Sequence, residues 1–370
     1  MKDLVTDKLK RPTNRRSFMK KGLLAGTATV GAGLIGSNKA SGQILRPTRG
    51  DIAILSFLAA AELIETDMWD QYAELGGLTP GQLPVETAPF TPMNSYQAAF
   101  MNLDPDGPQY ISSNTLDEQS HAAFLNAYLQ SVGAPAVNFD EFRTLPSSQA
   151  AGAKNIGRLT NLMNITVDTS WYTRYRSTTN PDFGATYPQA ITLANVPGIP
   201  RTNADFALSN IQAIANIAAF HFGTIEQGGS SLYSTLAQKV SSVEVLKIVL
   251  SIGGDEVAHF LEWVDFAGNS VQPPAAPLAA ANGLPGFPNF DATVNPLLQT
   301  NLIFPVPCEF ISPNLPKCAV IRPTSQGQID AVGAAKAFIA MGIFMGQSPK
   351  FIPLLLALAA EADAAQRFIL

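Results

Sequence analysis

The sequence predicts an all-α protein built on a four-helix bundle, with a long crossover and additional C-terminal helices. Four apolar runs have the length and periodicity of buried helices, at residues 52–75, 114–132, 204–237 and 243–266. Long stretches rich in Pro and Gly separate the second run from the third and follow the fourth run. Two of the runs carry the same five-residue pattern, Asp-Glu-x-x-His, at residues 117–121 and 255–259.

The N-terminus has the features of a secretion signal. Residues 14–20, Asn-Arg-Arg-Ser-Phe-Met-Lys, match a twin-arginine export signal, and a weakly apolar segment follows at 22–36. Ala40 and Gly42 are suitable small residues for a cleavage site. The alternative is a membrane anchor, but the apolar segment is short of the roughly 20 residues that a spanning helix needs. We therefore predict a signal peptide over 1–42 and a periplasmic or extracellular protein.

Composition and charge narrow the classes of partner. The 370 residues are 46% hydrophobic and 14% charged, which suits a large buried core. Residues 1–42 hold nine of the 24 Lys and Arg and two of the 29 Asp and Glu, so the remainder has a net charge of −12. Such a surface disfavours nucleic acid and anionic membranes. The sequence leaves open whether the chain forms a homo-oligomer.

The first predicted helix begins with Asp51 as N-cap and ends at residues 76–77, Gly-Gly. Its apolar stripe is interrupted by Glu62 and Glu65, and a carboxylate there is costly unless it is paired or binds a metal. Trp69 follows Glu62 by seven residues, and in the third run an aromatic residue follows a glutamate at the same distance. If the two halves are a repeat, Glu62 is the metal-binding residue and Glu65 lies beside it as the alternate.

The second and fourth runs each place a carboxylate and an imidazole on one helix face. Glu118 and His121 are three residues apart, and so are Glu256 and His259. One Glu-x-x-His is a weak signal, but two of the three histidines in this chain fall in the repeated pattern. The repetition indicates two halves of a metal site.

The third run carries Glu226, with Tyr233 seven residues later and Gly229 close to the same face. Gly229 would leave room at the centre of the bundle or let helices approach closely. His221 lies roughly 140° around the helix from Glu226, so we place it outside the site.

The two long connections between the first three predicted helices differ in composition and predicted structure. Residues 77–110 form a long link rich in Pro, Gly and Thr, and residues 134–203 form the crossover. Within the crossover we predict that 150–176 contains a helix, followed by an aromatic and arginine cluster at 171–176. The cluster packs against the bundle or, as the alternative, binds an anion or a sugar.

The C-terminal third begins with a Pro-rich connection over 269–324. A helical extension follows over 325–370, with helices predicted at 326–345 and 349–368. Cys308 and Cys318 are ten residues apart with no histidine nearby, which argues against zinc. In an exported protein a local disulfide is favoured over two free thiols.

Over residues 51–268 the order Glu, Glu-x-x-His, Glu, Glu-x-x-His resembles the ligand set of the ferritin-like di-iron and di-manganese carboxylate superfamily. Residues 61–65 near Trp69, and 226–229 with Tyr233, most resemble its exported ferritin-like domain proteins, called desiccation-related or stress-related. The resemblance implies two iron or manganese ions. It implies six ligands: Glu62, Glu118, His121, Glu226, Glu256 and His259. Asp117 and Asp255 would accept hydrogen bonds from the ligand imidazoles.

Three functions are compatible with this pattern. The first is a redox-active di-metal protein that reacts with Fe(II), dioxygen or peroxide in stress protection, with metal ions and a small oxidant as its partners. The second is a di-metal oxygenase or oxidase on an organic substrate, which needs an apolar pocket beside the metals. The third is a non-enzymatic protective protein, which six buried polar groups without metal argue against.

Overall fold

The computed structural model describes residues 46–78, 91–174, 188–269, 278–288, 305, 307–308, 311–319 and 330–368. This part of the chain is mostly helical with little strand, which agrees with the predicted all-α class. The predicted signal peptide over 1–42 lies outside the described residues, as does much of the connection over 269–324.

Four long helices and several short elements make up the described chain. The long helices are α1, α3, α5 and α6, and each overlaps one of the four predicted runs. Residues 205–207, expected to be part of the third run, form a separate short turn of 3₁₀ helix, and α2 lies inside the connection where no helix was predicted. In chain order the elements are α1 Arg49–Gly76, α2 Ser95–Leu103, α3 Gly107–Ser131, β1 Ile165–Val167, α4 Ser170–Arg174, β2 Leu193–Val196, α5 Gln212–Ala237, α6 Val243–Asn269, α7 Ala331–Ala340 and α8 Phe351–Asp363.

The long helices pack in two pairs, α1 with α3 and α5 with α6. An aromatic core joins the pairs: the ring of Trp69 on α1 lies 4.8 Å from Phe222 on α5 and 5.2 Å from Trp263 on α6, centroid to centroid. All three side chains are fully buried. Burial of one large apolar side chain stabilises a fold by about 1.5–3 kcal/mol. Burial of these three rings therefore holds the two helix pairs together and fixes the positions of the glutamates that the helices carry.

Asp51 joins two helix N-termini. Thr48, and not Asp51 as predicted, is the N-cap of α1, and its hydroxyl accepts a hydrogen bond from the Asp51 N–H at 3.0 Å. The buried Asp51 carboxylate closes the capping box with Thr48 and also accepts the N–H groups of Ser241 at 2.8 Å and Ser242 at 3.2 Å. These two residues immediately precede α6, so one carboxylate satisfies unpaired donors at both helix starts.

The end of α3 follows the predicted stop signal. Gly133 has φ +84°, a left-handed conformation that glycine adopts without steric cost, and the Ala134 N–H donates to the Leu129 carbonyl at 2.9 Å. This closure ends the helix ten residues beyond His121.

The predicted helix over 150–176 is wrong. The segment is mostly irregular; its last part forms β1, which pairs antiparallel with β2, and the five-residue α4. The reason is the buried Asp67 on α1, whose carboxylate accepts the N–H groups of Leu159 and Thr160 at 3.1 and 2.8 Å and pairs with Arg143 at 2.7 Å. Donors that a helix would use internally are directed instead at a distant carboxylate.

The aromatic residues of the crossover pack as predicted. Trp171 and Tyr172 are buried against Phe220 on α5, with ring centroids 5.9 and 5.3 Å away. Residues 175–176 of this cluster lie outside the described residues.

The C-terminal helices are shorter than predicted and belong to the same compact unit as the long helices. α8 packs along α1, and α7 packs on α8. Within the described ranges, no helix combines the length and apolarity that crossing a membrane requires.

The predicted disulfide does not form. Cys308 is buried and Cys318 is exposed, and the two sulfurs are not joined. The Cys318 Sγ instead lies 3.8 Å from the carbonyl oxygen of its neighbour Ala319.

Candidate metal centre

The four long helices bring the six predicted residues into one buried cluster, which we call the carboxylate–histidine cluster. Each long helix contributes to it, and every member is at most 7% exposed. Two overlapping groups place one ligand atom per residue within 4.8 Å of one another. The first group is Glu62, Glu118, His121 and Glu256, and the second is Glu118, Glu226, Glu256 and His259.

His121 faces three of the glutamates with one ring nitrogen. Its Nδ1 lies 3.5 Å from Glu62 Oε2, 3.5 Å from Glu118 Oε2 and 3.4 Å from Glu256 Oε1. Its Nε2 points the other way, 3.2 Å from Asp255 Oδ2. An imidazole that donates from Nε2 to a carboxylate presents the Nδ1 lone pair to the opposite side.

His259 repeats this arrangement on the other group. Its Nδ1 lies 3.0 Å from Glu118 Oε1 and 3.3 Å from Glu226 Oε2, and its Nε2 lies 3.4 Å from Asp117 Oδ2. Each aspartate therefore contacts most closely the histidine of the other Asp-Glu-x-x-His copy. Both aspartates are about half exposed, at 46% and 49%.

Seven buried polar atoms of the cluster make no hydrogen bond within the described part of the chain. They are Glu62 Oε2, Glu118 Oε2, His121 Nδ1, Glu226 Oε2, both oxygens of Glu256, and His259 Nδ1. Buried polar atoms are nearly always paired, so seven unpaired atoms in one place indicate a missing partner. All seven can act as electron-pair donors, and four carboxylates with two neutral imidazoles balance the charge of two divalent cations. The residues present therefore fit a pair of metal ions.

Hydrogen bonds from outside the cluster orient two of the glutamates. The Tyr233 hydroxyl on α5 donates to Glu62 Oε1 on α1, and Trp69 Nε1 on α1 donates to Glu226 Oε1 on α5 at 2.9 Å. Trp69 and Tyr233 are the aromatic residues that follow Glu62 and Glu226 by seven positions. The repeat was visible in the sequence, but the exchange of partners between the halves was not.

Asn114 is a site residue that sequence reasoning missed. Its Nδ2 donates to Glu118 Oε1 at 3.0 Å and Glu226 Oε1 at 3.2 Å, and its Oδ1 accepts from Trp263 Nε1 at 2.8 Å. The available signal was its position, one helical turn before Glu118 on the same face. The corresponding position before Glu256 is Ile252, so the two halves are not symmetric here.

Gly229 makes room for Glu256. A Cβ at position 229 would lie 2.0 Å from Glu256 Oε2 and 2.8 Å from its Cδ. Only glycine allows the carboxylate to occupy this position, as the small residue on the face of Glu226 suggested.

Burial and crowding shift the pKa values of the cluster. Burial, and then the charge of Glu226, raise the pKa of Glu118 to about 7, and burial with the charge of Glu118 holds the pKa of Glu256 well above its usual range. Burial lowers the pKa of both histidines, but the surrounding carboxylates outweigh it and leave both raised. Without cations the cluster therefore retains protons that bound metal would displace.

The two remaining candidate residues lie apart from the cluster. Glu65 is buried but belongs to neither group of potential ligands; it lines a neighbouring cavity. His221 Nδ1 pairs with the Tyr72 hydroxyl at 2.7 Å, and burial lowers its pKa to about 3, so it is a neutral core residue.

No protein-family model, curated protein or solved structure matches this chain.

Proposed function

We propose that the four long helices form a ferritin-like bundle that holds two iron or manganese ions and uses them in redox chemistry. The observation that supports it most directly is the set of seven buried, unpaired donor atoms facing one another. His121 would bind one ion and His259 the other, each through Nδ1. Glu118 and Glu256 occur in both groups of potential ligands and would help to hold both ions, whereas Glu62 and Glu226 each occur in one group.

The donor set favours iron or manganese. Carboxylate oxygens with imidazole nitrogen suit these hard or borderline cations better than copper, which prefers softer or more nitrogen-rich sites. The described part of the cluster contains no sulfur donor that would favour zinc or an iron–sulfur centre.

When bound, the pair of ions supplies one-electron redox chemistry towards Fe(II), dioxygen or peroxide. The chain contributes access and positioning. A surface opening of about 730 Å³ leads to His121 and Asp255 and is lined also by Ser120 and Phe124. Small ions and oxidants can reach the cluster through it, and the half-exposed Asp255 carboxylate at its wall attracts cations.

A second candidate is oxidation of an organic substrate. One observation favours it: a mostly apolar cavity of about 360 Å³ reaches Glu65, one helical turn from Glu62. A di-metal oxygenase or oxidase needs an apolar pocket beside the metals, and the sequence alone could not show one.

We further propose that the chain is exported by the twin-arginine route to the periplasm or beyond. The twin-arginine pattern at 14–20 supports this, and so does the cofactor, because this route is understood to carry folded, loaded proteins.

The test loads the purified protein anaerobically with Fe(II) or Mn(II), counts metals per chain and then adds dioxygen or peroxide. We expect two metals and an absorbance change on oxidation. Glu256→Gln should lose metal and the absorbance change, whereas Glu244→Gln, on the exposed face of the same helix, should retain both. Two metals that do not react would favour the structural, protective function, and absence of bound metal at neutral pH would refute the proposed site.

A further inference from the structure

The cavity beside the cluster has two polar side chains in its wall that stand out, Gln227 and Glu65. It lies between α1, α5, α7 and the β1–β2 ribbon, and its walls are mainly apolar, with Val167, Leu193, Leu232 and Phe338 among them. Gln227 on α5 lines it, is 6% exposed, and its Nε2 makes no hydrogen bond with described residues. Glu65 on α1 lines it, is 4% exposed, and has no hydrogen bond or ion pair among the described contacts.

Two other polar groups of the wall are satisfied by the protein. Asp168 Oδ1 accepts from the Ser170 N–H at 3.0 Å and from Gln189 Nε2 at 2.7 Å. The Thr224 hydroxyl donates to main-chain carbonyls and accepts from Trp171 Nε1 at 3.2 Å. Since buried polar atoms are nearly always paired, the unpaired Gln227 Nε2 indicates a ligand that supplies its partner.

We propose that this cavity binds an apolar alcohol or phenol, with its hydroxyl group at Gln227 and Glu65 and its hydrocarbon body against the apolar walls. A hydroxyl accepts from the Gln227 amide and also donates to a carboxyl oxygen of Glu65, whether or not Glu65 carries a proton. The volume of about 360 Å³ falls in the range of small-molecule sites.

The charge of the walls excludes an acidic ligand. Among the described residues, Glu65 and Asp168 are the acidic residues that line the cavity, and no described Lys or Arg lines it. A carboxylate ligand has no proton to donate to Glu65 and finds no described cation to pair with. An amine would pair with Glu65 but leave the Gln227 donor without an acceptor.

Gly228 allows the cavity to be filled without a clash. It lines the cavity, and a Cβ built there meets no atom within 4 Å. Gly254 on α6 has the same open surroundings but lines the separate opening near His121. Gly228→Leu and Gly254→Leu are therefore matched substitutions in two different spaces.

The experiment measures binding of 1-octanol, octylamine and octanoate to the full chain by titration calorimetry, with metals loaded and after chelation. We expect 1-octanol to bind once per chain in both forms and more tightly than the other two. Gln227→Leu should weaken octanol binding roughly tenfold, the loss of one buried hydrogen bond. Gly228→Leu should abolish it, while Gly254→Leu should leave it unchanged.

Tighter binding of octylamine or octanoate, or octanol binding that survives Gly228→Leu, would overturn the proposal. If Gly228→Leu does not fold, Ala337→Phe at the exposed edge of the cavity serves in its place. Metal counts on the same samples separate this proposal from the di-metal function: loss of octanol binding with two metals retained concerns the cavity alone.

Discussion

Replacing Gly229 by alanine adds one methyl group beside the cluster and tests whether Glu256 holds metal where the structure places it. The new Cβ would lie 2.0 Å from Glu256 Oε2, against about 3.4 Å for an ordinary contact, so the carboxylate must move by about 1.4 Å. Metal–ligand distances tolerate only about 0.2 Å. The displaced carboxylate therefore leaves the position it shares between the two groups of potential ligands.

The substitution should leave the stability of the metal-free protein nearly unchanged and lower the stability of the loaded protein. In the metal-free protein, alanine in a helix interior stabilises by about 0.5–1 kcal/mol relative to glycine, which offsets the cost of moving an unpaired carboxylate. In the loaded protein, a loss of about 100-fold in metal affinity removes about 2.7 kcal/mol, or about 5–10 °C of Tm.

Thermal unfolding followed by circular dichroism, with and without chelator, together with metal counts, measures both effects. Gly228→Ala is the matched control, because it makes the same helix substitution one residue away, where a Cβ meets nothing within 4 Å. It should raise stability in both forms and keep two metals. Wild-type metal affinity in Gly229→Ala would refute the role of Glu256 as a metal ligand.

Three further predictions concern proton binding by buried glutamates, the choice between Glu62 and Glu65, and export. Burial raises the pKa values of Glu118 and Glu262 from 4.5 to about 7 and about 8, so the folded metal-free protein binds more protons than the unfolded chain. Its free energy of unfolding should therefore fall as pH rises from 4.5 to 8, while metal affinity rises. Denaturant titrations and metal titrations across this range measure the two quantities, and a change of both in the same direction would contradict the prediction. Glu62→Gln should lower metal affinity at least about tenfold, whereas Glu65→Gln should not, as metal counts in competing chelator would show. Changing both arginines of the twin-arginine pair to lysine should leave the precursor in the cytoplasm by cell fractionation, and normal export would refute that assignment.

Sequence periodicity located the four long helices because each buries a continuous apolar stripe. The pattern also placed the six clustered residues, since residues three apart on a helix share a face whatever the surroundings. Glu62 rather than Glu65 lies in the cluster, in agreement with the inference from the internal repeat.

The features that the sequence did not predict depend on contacts between residues distant in sequence. The segment 150–176 contains residue types that favour a helix, but two of its N–H groups donate to Asp67 on α1 instead. The local sequence pattern gives no sign of this distant acceptor. The cavity at Glu65 could not be predicted either, because its walls come from α1, the crossover strands, α5 and α7.

The crossing of contacts between the halves explains why the Asp-Glu-x-x-His pattern occurs twice. Asp255 lies nearest His121 and Asp117 nearest His259, so each copy supplies the carboxylate that fixes the imidazole of the other. A carboxylate in contact with Nε2 holds the imidazole proton there, which leaves Nδ1 free to face the glutamates. The hydrogen bond of Trp69 to Glu226 and that of Tyr233 to Glu62 cross between the halves in the same way. Both histidines, Glu62 and Glu226 thus take orienting contacts from the other half, and the complete cluster needs all four long helices packed together.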